Sequence, residues 1–386
     1  MIRHQEFVLG PMPRNLAWAM VVVGAVAAAV GVAADPQRTW PDLLLNGFYT
    51  MGLALAGMVF ISFQYLSGAT WSANMRRVPE ALMSALPIAG VLMLTLFFGR
   101  EWLYPASRPG ADTADPAKAL YLGAPFFFGR MALFVVVWTV FARLMRRSSL
   151  RQDEDPTPIH HHRLVRYSAA FIVVFSISFS LASFDWLMTL TPHWSSTMFA
   201  VYAFAGVLVG GMAAITLCLV LLGERGYLVG VVNENHLHDC GKLLFTFSTF
   251  WAYIWFSQYL LIWYGNLPEE TTYYVSRTGK SWIVLFLLNV VVNWVIPFLV
   301  LMPRSSKRNP AILKWIAIII LAGRWLDLYL AVMPETRATP SVGPLDLLIV
   351  GGYAASFFLM ATRALASAPL VPLNNPSFHE SLAHRQ

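Results

Sequence analysis

Apolar runs long enough to cross a bilayer recur along almost the whole chain, and they restrict it to one class of fold. A run such as GVLVGGMAAITLCLVLLG (206–223) carries no charge. The hydrocarbon core has no water to solvate a backbone N–H or C=O, so each run must satisfy its own backbone, as a helix does. The pattern predicts ten helices, over 15–34, 43–66, 81–103, 124–146, 164–187, 197–222, 242–265, 281–302, 311–333 and 345–367. Only 12% of the 386 residues are charged, against about 25% in a soluble domain. The expected fold is an all-α integral membrane protein of about ten transmembrane helices. Residues 1–368 form one membrane domain. Residues 369–386 form a polar C-terminal tail, either a surface strap or disordered. The first run exceeds the apolar segment of a signal peptide and is read as a span.

Most of the 27 Lys and Arg residues fall on the side that ten spans assign to both termini. That side is expected to be cytoplasmic. The same bias accounts for the formal charge of +7 without a nucleic-acid partner. The two cysteines, Cys218 and Cys240, form no CxxC and no iron–sulfur spacing. None of the nine histidines falls in the middle of an expected span, where facing helices would offer axial ligands to a haem. The chain is therefore expected to carry no redox cofactor and no metal. The tract His160–His162 reads as part of a solvated loop over 147–163.

Ionisable side chains at membrane depth are costly, so each is a candidate for function. In FDWLMTLTPHWSSTMF (184–199), Asp185 closes the fifth span and His193 precedes the sixth. Ser195, Ser196 or Thr197 is placed to cap the helix that follows. The stretch reads either as a capped interfacial turn or as a place that binds a polar head group or relays a proton. In GRWLDLY (323–329), Arg324 and Asp327 are i, i+3 and share a helix face. Arg324 is expected roughly 15 Å inside the outer end of its span. This is either a mutually neutralised structural pair or a site.

At the inner side, NENHLHDCGKLLF (233–245) collects His236, His238, Asp239 and Lys242 at the start of the seventh span. Asp239 reads either as a partner of the positive helix N-terminus or, with its neighbours, as a proton entry or exit at the inner surface. The seventh span holds one amide, Gln258, among aromatic residues on nearly every face. It reads as tight packing or as a wall for a flat ring or isoprenoid tail. Ser176, Ser180 and Ser183 suggest a hydroxyl ladder or small-residue packing. Asn289 and Asn293 are i, i+4 in the eighth span, ahead of a kink expected at Pro297. The spans otherwise read as continuous, apart from Pro87.

Two blocks carry a resemblance. FDWLMTLTPHWSSTMFAVYAFAG (184–206) and HLHDCGKLLFTFSTFWAYIWFSQYLLIWYGNLPEET (236–271) resemble the NrfD/polysulfide-reductase membrane-subunit family. The likeness is to the second, ActF-type, membrane subunit of bacterial alternative complex III. It implies NrfD-like helical bundles in the bacterial cytoplasmic (inner) membrane. It implies a cofactor-free subunit of a quinol:cytochrome c, or quinol:acceptor, oxidoreductase, quinone-associated and proton-conducting. The implied partners are a second NrfD-like subunit, a multihaem cytochrome, an iron–sulfur subunit, membrane lipid and a terminal oxidase. Haem and iron–sulfur clusters would sit on those partners. Asp185, His193, Gln258, Arg324 and Asp327 then form an outer quinone or proton group. His236, His238, Asp239 and Lys242 form an inner proton group. The alternatives are the quinone-binding anchor of a polysulfide- or nitrite-reductase-type complex and, in a different class, a secondary transporter.

Overall fold

A computed structural model describes residues 6–104, 116–191, 194–372 and 374–385. Among these residues the secondary structure is all helical, with no strand. The helices are α1 (Pro11–Ala34), α2 (Pro36–Leu66), α3 (Arg77–Met83), α4 (Leu86–Leu94), α5 (Arg100–Leu103), α6 (Pro116–Leu122), α7 (Ala124–Glu154), α8 (Pro158–Trp186) and α9 (Phe199–Glu224). They continue with α10 (Glu234–Gly265), α11 (Pro268–Thr278), α12 (Ile283–Val290), α13 (Ile296–Leu301), α14 (Arg304–Arg308), α15 (Pro310–Val332), α16 (Pro344–Ala366) and α17 (Phe378–Leu382). Nine helical segments among the described residues are long and apolar enough to cross a membrane.

The expected seventh span, α10, is not one of those nine. Its 32 residues are long enough, about 48 Å at 1.5 Å each, but Trp, Tyr, Ser, Thr and inner-end charges lower its hydropathy. It still runs from one end of the protein to the other. Its first turn meets the C-terminal tail, where Asp239 pairs with His384 at 2.7 Å. Its far end leads into α11, where Arg277 Nε donates to the Leu330 carbonyl at the last turn of α15 (2.9 Å). Near the other terminus, Phe7 packs on Tyr227, just beyond α9, with ring centroids 5.5 Å apart. Both terminal segments therefore lie at one end, called inner below.

Two groups of helices form the core. In one, α2, α3–α4, α7 and α8 pack together; in the other, α9, α10, α12–α13 and α15 do. The groups join where α2 lies along α9. Outside them α1 packs along α16, and the pair flanks α2 and α3. The α1–α16 approach needs glycine: a Cβ on Gly24 would come within 2.6 Å of Gly352 Cα. Small residues of this kind let membrane helices touch without a hydrophobic drive.

Two spans are less regular than the sequence suggests. Pro87 lacks an N–H and its ring would press on the Met83 carbonyl in a continuous helix. The third span therefore breaks at Ser84–Ala85, where Ser84 N bonds Ala81 O and Ala85 N bonds Leu82 O. A 3-10 segment, Thr95–Gly99, follows α4. In the eighth span the kink expected at Pro297 takes the form of a π turn over Val291–Val295. Pro297 cannot donate to the Asn293 carbonyl, and the wider turn takes up that mismatch.

The expected loop over 147–163 is also corrected. Helix α7 continues to Glu154 and α8 starts at Pro158, which leaves a short connection. His160 lies buried in the first turn of α8, 3.2 Å from Asp155, rather than in solvent. Asp155, outside the spans, is held below the usual carboxylate range, chiefly by the Thr157 backbone N–H. The tail is a strap. Leu370, Val371 and Phe378 are buried, and Ser381 Oγ donates to Trp71 O at 2.6 Å.

Candidate functional site

Helix α15 carries Arg324 and Asp327 into the centre of the second bundle. Both are buried, with relative exposures of 4% and 1%. Arg324 Nη1 lies 2.7 Å from Asp327 Oδ2. The other carboxylate oxygen accepts from Tyr202 Oη of α9 at 2.5 Å and from Asn289 Nδ2 of α12 at 2.7 Å. Asn293, in the π turn, extends the network by donating to Asn289 Oδ1 (2.7 Å) and to the Gly323 carbonyl (2.9 Å). Three helices thus converge on one carboxylate, and the π turn supports it through Asn289.

The Arg324 guanidinium lies over the Trp251 ring of α10, 5.3 Å from its centroid. It also presses against α9, where a Cβ on Gly206 would fall 2.0 Å from Arg324 Nη2. Small cavities lie on both sides of the pair. One, of about 20 Å³, is lined by Asp327, Tyr202, Asn289, Gln258, Tyr273 and Arg277 among others. The other, also about 20 Å³, lies between Arg324, Tyr49 and Gly206. Each has room for a water but not for an aromatic ring. Asn293 Oδ1 and Trp251 Nε1 are buried here with no hydrogen-bond partner among the described residues.

Helix α10 presents two aromatic faces. Trp251, Trp255 and Tyr259 stack in a column toward the core, with Trp255 and Tyr259 nearly parallel at 8°. Gln258, on the same side, faces the Asp327 cavity. Tyr253, Phe256, Trp263 and Tyr264 face outward.

Asp185 belongs to a different network. Arg130 of α7 reaches its Oδ2 through Nε at 3.0 Å and Nη2 at 2.9 Å. That guanidinium lies over the Tyr121 ring at 3.8 Å. Among the described residues no side chain bonded to Asp185 is bonded to Asp327, so the outer group divides into two. His193 lies outside the described residues. The capping expectation for α9 is overturned. Its N-cap is Met198, with no side-chain cap, and Ser196 supplies only its carbonyl to Phe199 N. The stretch still reaches the second bundle through Trp194, whose ring stacks on Tyr273 at 4.0 Å.

The inner group is held together by the strap. Asn233 and His236 form a capping box at the start of α10. Asp239 pairs with Lys242 (2.5 Å) and with His384 Nε2 (2.7 Å). The His384 carbonyl accepts from Asn233 and Asn235, and its ring lies 5.4 Å from His236. His238 is buried beside them. Lys307, outside the spans, is lowered from the usual lysine range by burial and then by Lys242. The structure thus brings His236, Asp239 and Lys242 together around His384.

Sequence reasoning also missed an ionic cluster at the inner end of the first bundle. Arg77 pairs with Glu80 at 2.6 Å and also with Asp153, while Ser149 donates to Glu80. Glu80 is 1% exposed. The i, i+3 spacing of Arg77 and Glu80 was available as a signal, but both precede the expected start of the third span. Ser176, Ser180 and Ser183 each donate to the carbonyl four residues earlier. Among the described residues no group of three or more His, Cys, Asp or Glu side chains converges as a metal site requires. No protein-family model matches the chain.

Proposed function

We propose that this chain is a cofactor-free membrane subunit of a bacterial quinol-oxidising complex, and that Asp327 is the proton-exchanging group within it. The observation that carries this reading is the buried Asp327 constellation: a carboxylate with three partners, small water-sized cavities and unmatched polar atoms nearby. A buried ion pair is weak evidence for stability, because desolvation offsets its attraction. The tyrosine, two asparagines and π turn around it favour a site over a strut.

Cavity size favours a proton over a quinone at this position. About 20 Å³ admits water and excludes a quinone ring. Quinol is therefore oxidised elsewhere, on a neighbouring subunit or against the outward aromatic face of α10. The haem and iron–sulfur groups that take its electrons belong to partner subunits. In the proposed cycle, protonation of Asp327 weakens its hold on Arg324. The guanidinium then shifts toward the cavity beside Gly206 and Tyr49. Release of the proton restores the pair. The Asp239–His384–His236 group is the counterpart at the inner surface. Asp185 and Arg130 fasten the outer end of the first bundle.

The test is the company the chain keeps. Gentle solubilisation and affinity purification from its native membrane should bring down multihaem and iron–sulfur subunits in fixed ratio. A stable chain that purifies alone and transports a solute in liposomes contradicts the proposal.

A further inference from the structure

The largest of the described cavities lies away from both polar groups. A groove of about 300 Å³ opens at the inner end between α7, α16 and the broken third span. Its apolar wall includes Met83, Pro87 and Met360, and its polar rim includes Arg143, Arg146 and Arg363. The break at Ser84–Ala85 is what opens the wall, since Pro87 prevents α3 from continuing into α4.

Among the described residues no carboxylate forms a direct ion pair with the rim arginines. Arg146 donates to Ala364 O at 2.7 Å, Ser367 Oγ at 2.9 Å and Glu80 O at 3.4 Å, all of them neutral acceptors. The nearby Glu80 carboxylate is taken by Arg77 and Ser149. Arg143 and Arg363 are exposed, and neither has an ion-pair partner among the described residues. An apolar slot ending in three guanidinium groups, at the arginine-rich end of a membrane protein, matches one class of molecule. We infer that this groove binds an anionic glycerophospholipid, with its phosphate against the arginine rim and one acyl chain along Met83, Pro87 and Met360. Basic pockets between spans on this side of a membrane commonly hold acidic lipid head groups. A free anion would need the rim alone. The apolar wall argues for the lipid.

The test uses the full chain reconstituted in nanodiscs of equal phosphatidylglycerol and phosphatidylcholine, followed by detergent extraction and native mass spectrometry. One phosphatidylglycerol per chain should be retained, about tenfold in preference to phosphatidylcholine. Arg146 also ties α7 to α16, so the variant is Arg143→Gln with Arg363→Gln. It should lose most of that preference while melting at the wild-type temperature, and Arg143→Lys with Arg363→Lys should keep most of it. Millimolar inorganic phosphate should leave the lipid in place. Equal retention of both lipids, unchanged retention in the glutamine variant, displacement by phosphate alone, or displacement by a short-chain quinone would each overturn the assignment.

Discussion

Tyr202 Oη donates to Asp327 Oδ1 across 2.5 Å, and the contact joins α9 to α15 at the centre of the second bundle. Asn289 occupies the same oxygen from a third helix, while Arg324 faces the other. The two carboxylate oxygens therefore have different company. One accepts two hydrogen bonds, and the other faces the Arg324 guanidinium.

Arg324→Gln should strand a buried carboxylate and destabilise the protein by about 3–5 kcal/mol. Adding Asp327→Asn should recover more than half of that loss, since the charge that needed a partner is gone. Thermal melts of the two single variants and the double variant in one detergent check this. Additive losses would mean that the two residues do not act as a pair.

Gly206→Ala should displace Arg324, because the new methyl would lie 2.0 Å from Nη2. Gly210→Ala, one turn on, meets Arg324 only at 3.5 Å and should be tolerated. A difference of several degrees in melting temperature between the two is expected. Equal behaviour would show that the guanidinium is not pinned against α9.

The strap should govern exposure of the inner group. Truncation after Pro376 removes His384 and Ser381, and with them the partners of Asp239, Asn233, Asn235 and the Trp71 carbonyl. Faster hydrogen exchange is expected in 71–75 and 233–240, with the second bundle's centre unchanged. His384→Ala alone should reproduce part of the effect at 233–240.

Asp185→Asn should leave proton movement in the second bundle intact, because no side chain bonded to Asp185 is bonded to Asp327 among the described residues. It should loosen the outer end of α7, where Arg130 holds Asp185 and the Tyr121 carbonyl together. Limited proteolysis near 116–125, alongside a proton-release assay, separates these effects. A loss of proton release equal to that of an Asp327 variant would rejoin the two halves of the outer group.

Much of the bundle could be read from the amino acids because a bilayer leaves a hydrophobic stretch few options. The helical class, the span order and the side shared by both termini follow from run length and arginine placement. Arg324 and Asp327 were visible for the same reason, as charges interrupting an apolar run. Their partners were not. Tyr202 looks like one more interfacial aromatic until α9 is laid against α15. The π turn depends on what Pro297 does to the preceding carbonyl, and hydropathy carries no sign of it. Asp185 and Asp327 looked alike because a sequence gives depth but not bearing, and the fold sends them to different bundles. His384 lies 145 residues from Asp239, so only the folded strap could pair them.

The most direct measurement is proton release per quinol oxidised by the intact complex in sealed liposomes, wild type against Asp327→Asn. Both should assemble and turn over quinol, since no electron carrier is changed. Quinol oxidation itself yields two protons per quinol, and the account predicts that the protons translocated beyond those two fall by about tenfold or more in the variant, in line with removal of a positioned acid–base group. An unchanged yield at equal quinol turnover would contradict it.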